Sequence, residues 1–310
     1  MTDRLHHLCY VIAGPTASGK SGLALALAER VGGVVINGDS MQVYRGVERL
    51  TDQPHGKDQA RVPHRLYGVM DPSESCSAGR WRVLALAEIA AALAAGRAPI
   101  VVGGTGLYLQ ALMEGLAPIP DIPAAVRNAV RRRRAELGNQ AFHAELAGHD
   151  AAAAAKIPAG DSQRMTRAAE VLEATGRSLT EWQRDPACGP PQGLAFRVIL
   201  LMPPREALYA AIDARFDRML ADGALDEARA LAARGLAPDL PVMKALGVAD
   251  LAAAARGEVE TAAAIMRAKT ATRNYAKRQI TWFKGQMVAD LTFSTQFSES
   301  IKEKILSKIL

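Results

Sequence analysis

The sequence predicts an α/β fold with a parallel sheet at its core and an all-helical segment inserted into it. Four short apolar runs, which begin at Leu8, Gly33, Ala98 and Phe196, are continuous rather than alternating. Strands that are buried on both faces of a parallel sheet show this pattern. Between the third and fourth runs lies a long stretch without a strand candidate, and its composition favours helix.

The first half of the chain alternates strands with helices. "LCYVIAG" leads into "SGLALALAERV", which favours a helix, and "GVVINGD" follows as the second strand. The helical stretch "WRVLALAEIAAALAAG" ends at Gly96, a residue type that frequently closes helices, and "APIVVGG" is the next strand. The order strand, turn, helix, strand is typical of a doubly wound α/β domain.

Proline-rich loops mark the limits of the helical segment. "APIPDIP" at 117–123 fits neither a helix nor a strand, and "DPACGPPQG" at 185–193 forms a second loop before "FRVILLMP" resumes the strand pattern. We therefore predict a catalytic core formed by 1–118 and 191–290, a helical insertion at 119–190 and a C-terminal tail at 291–310.

The tail has an amphipathic pattern. In "FSESIKEKILSKIL", Phe297, Ile301, Ile305 and Ile309 are four residues apart, so they share one face of a predicted helix. Docking of this face on the core is the expected role, and contact with a membrane is the weaker alternative.

Composition indicates a globular protein of the cytoplasm. Of the 310 residues, 49% are hydrophobic, which is enough for a substantial core, and the formal charge of +6 is compatible with a polyanionic partner. Cys9, Cys76 and Cys188 lack the spacing of a disulfide framework or a zinc site. Neither a signal peptide nor an apolar run of membrane-spanning length is recognisable, and a monomer is the expected assembly state.

The stretch "VIAGPTASGKS" predicts a phosphate-binding loop. Gly14-x-x-x-x-Gly19-Lys20-Ser21 follows a strand and opens a helix, which is the context that a P-loop requires and makes the core P-loop NTPase-like. Glycines let backbone N–H groups face a phosphate, Lys20 adds a positive charge, and the Ser21 hydroxyl can ligate magnesium. The expected diphosphate- or nucleotide-binding residues are Gly14, Pro15, Thr16, Ala17, Ser18, Gly19, Lys20 and Ser21. The loop alone does not show whether the bound phosphates belong to a nucleotide that drives a motion, to a phosphoryl donor or to a leaving group.

Two further polar residues follow strands. Asp39 comes directly after the second strand, beside the predicted loop, and could ligate magnesium, act as a general base or cap the following turn. Thr105 lies in "GGTGLYLQAL", where a kinase or ATPase often has an acidic residue. Its hydroxyl could donate to a phosphate oxygen, and an incidental threonine in a tight turn is the alternative.

Seven motifs are distributed along nearly the whole chain: "GPTASGKS", "INGDSMQVYRG", "VPHRLYGVMDPSE", "VVGGTGLYLQAL", "DSQRMTRAAEVLEATG", "RFDRMLADGALDEARAL" and "TRNYAKRQITWF". In their order and spacing they resemble the bacterial tRNA dimethylallyltransferases, also called tRNA isopentenyltransferases. The resemblance implies transfer of a dimethylallyl group from dimethylallyl diphosphate to the exocyclic amine of the adenosine 3′ of the anticodon in tRNA. It also implies a P-loop core with a helical insertion and a requirement for magnesium.

The resemblance also implies roles for individual residues. Asp39 matches the catalytic aspartate, Thr105 matches a threonine at the diphosphate and the reacting base, and Ser21 is the expected magnesium ligand. The expected tRNA contacts are Asp39, Ser40, Met41, Gln42, Arg127, Gln163, Arg164, Met165, Thr166, Arg167, Lys244 and Gly247. Many family members have a glycine–tyrosine pair followed by a charged residue near here, and Val248 and Ala249 stand there in this chain, so only Lys244 and Gly247 are carried over from that segment.

The residues leave two other activities open. A P-loop kinase that uses ATP on a small molecule is one, although the missing acidic residue near Thr105 disfavours it. An isopentenyltransferase that acts on free adenine nucleotides is the other, and Gln163, Arg164 and Arg167 on one side of a predicted helix favour polymeric RNA instead. The run Arg131–Arg134 fits a solvated helix face and a phosphate contact equally well.

Overall fold

The computed structural model describes residues 7–185 and 189–310, and its described part contains one six-stranded sheet. Every neighbouring pair of strands is parallel, in the order β3-β2-β4-β1-β5-β6, which confirms the predicted fold class. The strands are β1 His7–Ala13, β2 Val34–Asn37, β3 His64–Arg65, β4 Pro99–Gly103, β5 Leu194–Leu201 and β6 Leu291–Phe293. The four apolar runs correspond to β1, β2, β4 and β5.

Thirteen α-helices connect and cover the strands within the described residues. They are α1 Lys20–Val31, α2 Gly56–Arg61, α3 Ala78–Ala94, α4 Gly106–Glu114, α5 Ala124–His149, α6 Ala151–Ala154, α7 Ser162–Thr175, α8 Leu179–Trp182, α9 Arg205–Ala221, α10 Ala224–Ala233, α11 Val248–Ala255, α12 Thr261–Gln286 and α13 Lys302–Ile309. Short 3₁₀ turns occupy Pro241–Lys244 and Glu299–Ile301.

Successive residues of the central strands face two different cores. On β1, Val11 packs in a core with Trp81 and Phe283, whereas Ile12 packs in a second core with Leu27. Because side chains alternate across a strand, both faces of the sheet are covered. This double burial is the physical reason why the strands have continuous apolar runs in the sequence.

The chain divides into two compact units. The described residues up to Met113, together with Pro191–Leu310, form the first, and Glu114–Pro190 form the second. The sequence placed the first boundary between 118 and 119, five residues later, and treated 291–310 as separate from the core.

The second unit contains only helices among its described residues. Its core consists of Val130, Phe142, Leu146, Ala153, Ala154, Ile157, Met165, Ala168 and Ala169. Helix α5 is interrupted at Gly138, where φ is 73° and ψ is 167°, so its two halves run separately. Asp150 joins the later helices, since Oδ1 accepts from Ala153 N at 2.9 Å and Oδ2 accepts from the Ser178 hydroxyl at 2.5 Å.

The tail differs from the predicted amphipathic helix. Leu291–Phe293 pairs with β5 as the edge strand β6, and the α-helix begins only at Lys302. Phe297 therefore lies outside the helix, although it is buried in the same core as Ile305 and Ile309. The tail docks on the first unit through these side chains, and no helix within 7–185 and 189–310 has the length and apolar character needed to span a membrane.

Candidate active site

A cavity of about 450 Å³ opens at the carboxyl ends of β1, β2 and β4. Its walls include Lys20 from the phosphate loop, Asp39 after β2, Gly103 at the end of β4, Arg215 from α9 and Tyr275 from α12. The carboxyl edge of a parallel sheet is where ligands of such folds bind. The cavity therefore combines cationic groups, a carboxylate and backbone donors in one place.

The phosphate loop has the predicted local structure. Gly19 has a φ of 87°, which favours glycine, and α1 begins at the next residue. Ala17 also has a positive φ, of 62°, a costly conformation for alanine that recurs where backbone geometry serves a ligand. The Ser18 hydroxyl is fully buried and has no hydrogen-bond partner among the described residues. A buried polar atom without a partner is suited to contact with a bound group.

Lys20, within this loop, has an ammonium group with a lowered pKa. Its Nζ donates to Pro15 O at 3.2 Å. Burial lowers the pKa of Lys20 to about 8, against the opposing influence of the Asp39 carboxylate, and the Arg215 charge lowers it further. The free protein therefore holds a cation whose charge an incoming anion would stabilise.

Arg215 is a second cation that the sequence reasoning missed. Its side chain is 20% exposed and NH1 lies 3.3 Å from Asp52 Oδ2, whereas its buried Nε has no hydrogen-bond partner in the part of the chain that the structure describes. The residue lies within the motif "RFDRMLADGALDEARAL", but nothing in its local spacing relates it to a loop almost 200 residues earlier. Together with Lys20 it supplies two positive charges on the cavity wall.

Asp39 is held by an array of hydrogen bonds from its own strand. Asn37 Oδ1 accepts from Asp39 N at 2.8 Å, and Asn37 Nδ2 donates to Asp39 O at 3.0 Å. The Asp39 Oδ1 atom accepts from Met41 N at 3.0 Å, which is the turn cap that the sequence left open as an alternative. The second oxygen, Oδ2, lies 3.6 Å from the position of a β-carbon at Gly104. One carboxylate oxygen therefore fixes the turn and the other faces β4.

Thr105 stands against the Asp39 turn. Its Oγ1 accepts from Ser40 N at 3.0 Å and lies 3.2 Å from Ser40 Oγ. Tyr275 contacts it from α12: burial and the Asp39 charge raise the pKa of the Tyr275 phenol, while hydrogen bonds to Thr105 and Gln279 oppose this. The threonine hydroxyl thus joins the turn after β2 to α12.

Gln279 is the second residue that the sequence reasoning missed. Its Oε1 accepts from Thr16 N in the phosphate loop at 2.8 Å, and its Nε2 donates to Gly104 O at 2.8 Å. A β-carbon at Gly104 would lie 2.4 Å from Nε2, so only glycine permits this approach. The buried amide therefore links the phosphate loop to the segment after β4, across 263 and 175 residues of chain.

The other residues of the first unit that were expected to contact tRNA are of two kinds: some line the cavity, and others have a structural role. Ser40, Met41 and Lys244 line the cavity. Gln42 also lines it, but its Nε2 donates to Thr51 O and Asp52 O, both at 2.9 Å, so only Oε1 remains for an adenine edge. Gly247 is instead buried, with a φ of 87° at the start of α11 and Phe216 at 3.5 Å from its β-carbon position, which is a packing role.

The residues of the second unit that were expected to contact tRNA lie on α5 and α7. Arg127, Gln163 and Arg164 are exposed, and Arg167 is partly exposed. Met165 is fully buried in the core of this unit, so its side chain is unavailable to RNA, contrary to the expectation. Its neighbour Thr166 donates to Ser162 O at 2.7 Å within the helix.

Comparisons with known proteins agree with the motifs and the fold. The family described as IPP transferase matches residues 42–286. A tRNA dimethylallyltransferase of Rhodospirillum centenum is 57% identical over 91% of this chain and 90% of its own length. One of Paramagnetospirillum magneticum is 54% identical over 96% and 95%.

Solved structures show the same similarity. A tRNA isopentenylpyrophosphate transferase from Bacillus halodurans has a TM-score of 0.69 and 34% identity, covering 98% of this chain and 95% of that one. A eukaryotic dimethylallyltransferase described as acting on tRNA has a TM-score of 0.80 and 27% identity, covering 98% of this chain and 78% of that one. With the family match over most of its length, this chain belongs to the IPP transferase family.

Proposed function

We propose that this chain transfers a dimethylallyl group from dimethylallyl diphosphate to the exocyclic amine of the adenosine 3′ of the anticodon in tRNA. The observation that carries the proposal is a single cavity that holds both a cationic phosphate loop and the Asp39 carboxylate. The family membership and the names of the 57% and 54% identical relatives support the reaction class. The phosphate loop in this proposal holds a leaving group, and no phosphoryl group moves.

Departure of diphosphate is the step that the cations assist. The carbon–oxygen bond of an allylic diphosphate breaks readily because the developing carbocation is delocalised, so the charge on the leaving oxygens is what needs stabilisation. Lys20 and Arg215 face the cavity, and the N-terminus of α1 adds its positive potential. Fixed donors of this kind stabilise the transition state without reorganisation during the reaction.

Attack by the adenine amine is the step that Asp39 assists. The lone pair of this amine is delocalised into the ring, so a carboxylate that accepts its proton as the new bond forms increases its reactivity. Asp39 Oδ2 is oriented toward β4 while Oδ1 remains in the turn hydrogen bond, so the carboxylate can accept a proton without losing its position. The Gln42 carbonyl oxygen lines the same cavity and suits an adenine N–H.

The target base reaches this cavity by leaving the anticodon loop. Single-stranded loops are the usual objects of sequence-specific RNA recognition, and extruding a loop base costs less than extruding one from a duplex. The exposed arginines of α5 and α7 support a polyanionic substrate larger than a nucleotide. We further propose that the chain acts as a monomer in the cytoplasm, where a reducing environment suits cysteines without the spacing of a disulfide framework.

Magnesium is part of the proposal. Ser21 and Asp39 line the same cavity and offer oxygen ligands, which magnesium prefers. No group of three histidine, cysteine or acidic residues in the described chain could hold a metal. Magnesium needs no such cage, since it is commonly bound by one or two protein oxygens and substrate phosphates, so the residues fit an ion that arrives with the diphosphate. When bound, the ion neutralises charge on the leaving diphosphate.

The proposal is tested by supplying each donor separately. Full-length protein is incubated with unmodified tRNA and either labelled dimethylallyl diphosphate or labelled ATP, and the tRNA nucleosides are then separated by mass spectrometry. Prenylated adenosine is expected only with the first donor. Label that enters only from ATP would identify a phosphoryl-transfer enzyme, and efficient prenylation of AMP without tRNA would identify a nucleotide isopentenyltransferase.

A further inference from the structure

Glu227 is a buried carboxylate of α10 that the proposed reaction does not use. It is 8% exposed, and its partners lie 178 positions earlier in the chain, on the turn formed by residues 47–53. Its Oε2 accepts from Arg49 N at 2.8 Å and from Leu50 N at 2.9 Å, and its Oε1 accepts from Arg49 NH1 at 3.2 Å. Because a buried carboxylate without donors is costly, these bonds fix the start of the turn against α10.

The turn at 47–53 ends in two carbonyl groups that bind Gln42. Thr51 N donates to Val47 O at 3.0 Å, so the turn has the hydrogen bond of a single helical turn. Thr51 O and Asp52 O then accept from Gln42 Nε2, both at 2.9 Å. The carboxylate of α10 is therefore connected to Gln42 through the turn that lies between them.

These two carbonyl groups fix which way the Gln42 amide faces. The nitrogen of an amide carries two N–H groups, and two backbone carbonyl oxygens are available to accept from them here. If the amide were turned over, Oε1 would lie against the same two oxygens, and none of the three atoms could donate. Oε1 is thus the polar atom of this cavity-lining side chain that is left for a ligand. A fixed acceptor matches the exocyclic amine of adenine and mismatches the exocyclic carbonyl of hypoxanthine.

We propose that Glu227 is a positioning residue for recognition of the target base. By capping the turn at 47–53, it holds the Gln42 amide with its acceptor available to the cavity. The inference rests on the proposed adenosine substrate and adds a residue that contacts neither substrate. Loss of the cap should therefore lower the selectivity between bases, which a purely structural role for Glu227 would leave unchanged.

The test compares the affinities of two RNA hairpins for the full-length protein. Anticodon stem-loops of one sequence, with adenosine or inosine at the target position, are titrated without any prenyl donor, and the ratio of the two Kd values is measured. The wild type is expected to prefer adenosine. Glu227→Met, which removes both acceptor oxygens at similar volume, should reduce this preference by about 3- to 10-fold, the worth of one hydrogen bond.

Glu227→Gln is the matched control, because it removes the same charge but keeps one oxygen that can accept from both backbone N–H groups. It should retain most of the preference for adenosine. Both hairpins are titrated against the same preparation, so a smaller folded fraction cancels in the ratio. An unchanged ratio in Glu227→Met would overturn the inference, and so would an equal loss in the methionine and glutamine variants.

A double-mutant cycle shows whether Glu227 affects selectivity through Gln42. In a Gln42→Met background, Glu227→Met should cause no further loss of the preference, whereas independent, additive losses would contradict the inference. Thr51→Val is a second variant, which tests the turn even if Glu227→Met does not fold. Its hydroxyl donates to Val47 O at 2.7 Å and accepts from Gln53 Nε2 at 3.1 Å, so its loss should also lower the preference, and an unchanged ratio would contradict the role of the turn.

The same measurements separate this inference from the proposed function. A wild type that prefers the adenosine hairpin but transfers no prenyl group would contradict the proposed reaction and leave the role of Glu227 standing. A wild type that binds both hairpins equally would overturn the role of Glu227, whatever its transfer activity.

Discussion

Asp39 shows how one side chain combines two tasks at the residue scale. Its Oδ1 closes the turn by accepting from Met41 N, and Asn37 holds its main chain from both sides. Trp81 Nε1 in turn donates to Asn37 O at 2.9 Å, which connects this buried asparagine to α3. A carboxylate that is positioned in this way needs little reorganisation to accept a proton, which is the second task that we propose for Asp39.

Asp39→Asn should separate the two tasks. The amide oxygen can still accept from Met41 N, so we expect the fold and tRNA binding to persist, whereas kcat should fall about 10²- to 10⁴-fold because no group accepts the amine proton. Single-turnover prenylation and tRNA titration measure the two effects. A kcat within tenfold of the wild type would exclude Asp39 as the base.

Lys20 predicts a pH dependence. Its pKa in the free protein is lowered to about 8, so the ammonium is present below that pH and is lost as the pH rises through it. We therefore expect kcat/KM for dimethylallyl diphosphate to decline above about pH 8, since this parameter reports ionisations of the free enzyme. Lys20→Arg should remove this decline, because a guanidinium stays protonated throughout the range. A wild-type profile that is flat to pH 9.5 would contradict the assignment.

Gln279 allows two hydrogen bonds to be tested separately. Gln279→Glu retains an acceptor for Thr16 N but cannot donate to Gly104 O, and Gln279→Met loses both bonds at similar volume. We expect donor KM to rise more in the methionine variant than in the glutamate variant, because the phosphate loop loses its partner only there. If the donor KM rises equally in both variants, loss of the hydrogen bond to Gly104 O, which both variants share, explains the rise.

At the scale of elements, α12 contributes three residues to the cavity wall. Thr272, Tyr275, Arg278 and Gln279 recur at intervals of three and four residues, and all but Gln279 line the cavity directly. Such spacing puts side chains on one face of a helix. The sequence contained this pattern within "TRNYAKRQITWF", but helical periodicity alone does not tell a cavity wall from a packed core face.

The segment around Gln296 and Phe297, before α13, contacts the phosphate loop, which the sequence did not predict. Gln296 Nε2 donates to Ala17 O at 3.0 Å, and Phe297 N donates to Ser18 O at 3.3 Å. A β-carbon at Gly19 would lie 2.9 Å from Phe297 Cβ, so the segment packs directly on the phosphate loop. These contacts stabilise a loop that contains the strained backbone of Ala17.

Phe297→Ala should loosen the phosphate loop, because it removes the ring whose Cδ1 and Cε1 lie 3.2 Å from the β-carbon position at Gly22, one residue after Ser21. We expect weaker binding of dimethylallyl diphosphate with little change in tRNA affinity, because the arginines proposed to contact tRNA lie elsewhere in the chain. Ile301→Ala, in the same tail but outside these contacts, is the matched control, and isothermal titration measures both ligands. An equal loss of donor affinity in the two variants would indicate general destabilisation of the tail.

At the scale of the whole molecule, the cavity unites segments that are far apart in the chain. Lys20, Asp39, Arg215, Tyr275 and Gln296 all line it. A ligand that contacts several such segments binds only the folded state, so it stabilises the fold by mass action.

Dimethylallyl diphosphate with magnesium should consequently raise the melting temperature. At a concentration of 100 times Kd the expected stabilisation is about 2.7 kcal/mol. Asp39→Asn should retain this shift at the same donor concentration, because the role proposed for Asp39 is at the amine, whereas Arg215→Ala should lose most of it. Thermal unfolding with and without the donor provides the measurement, and an undiminished shift in Arg215→Ala would contradict its role at the diphosphate.

From the sequence alone came the parallel sheet, the phosphate loop and the place of Asp39 at the end of β2. These features depend on short-range patterns, namely continuous apolar runs and a glycine motif between a strand and a helix. The edge strands β3 and β6 were missed because two or three half-buried residues leave no such pattern.

Only the tertiary structure decided which distant residues complete the site. Arg215 and Gln296 line the cavity, and Gln279 bonds to the phosphate loop, because α9, the tail and α12 pack on the sheet. Met165 and Gly247, by contrast, are buried by the packing of their own segments. The local pattern of apolar residues in the sequence indicates which face of a helix or strand is apolar. Which other element covers that face depends on the packing of the entire chain, and this packing determined the final membership of the site.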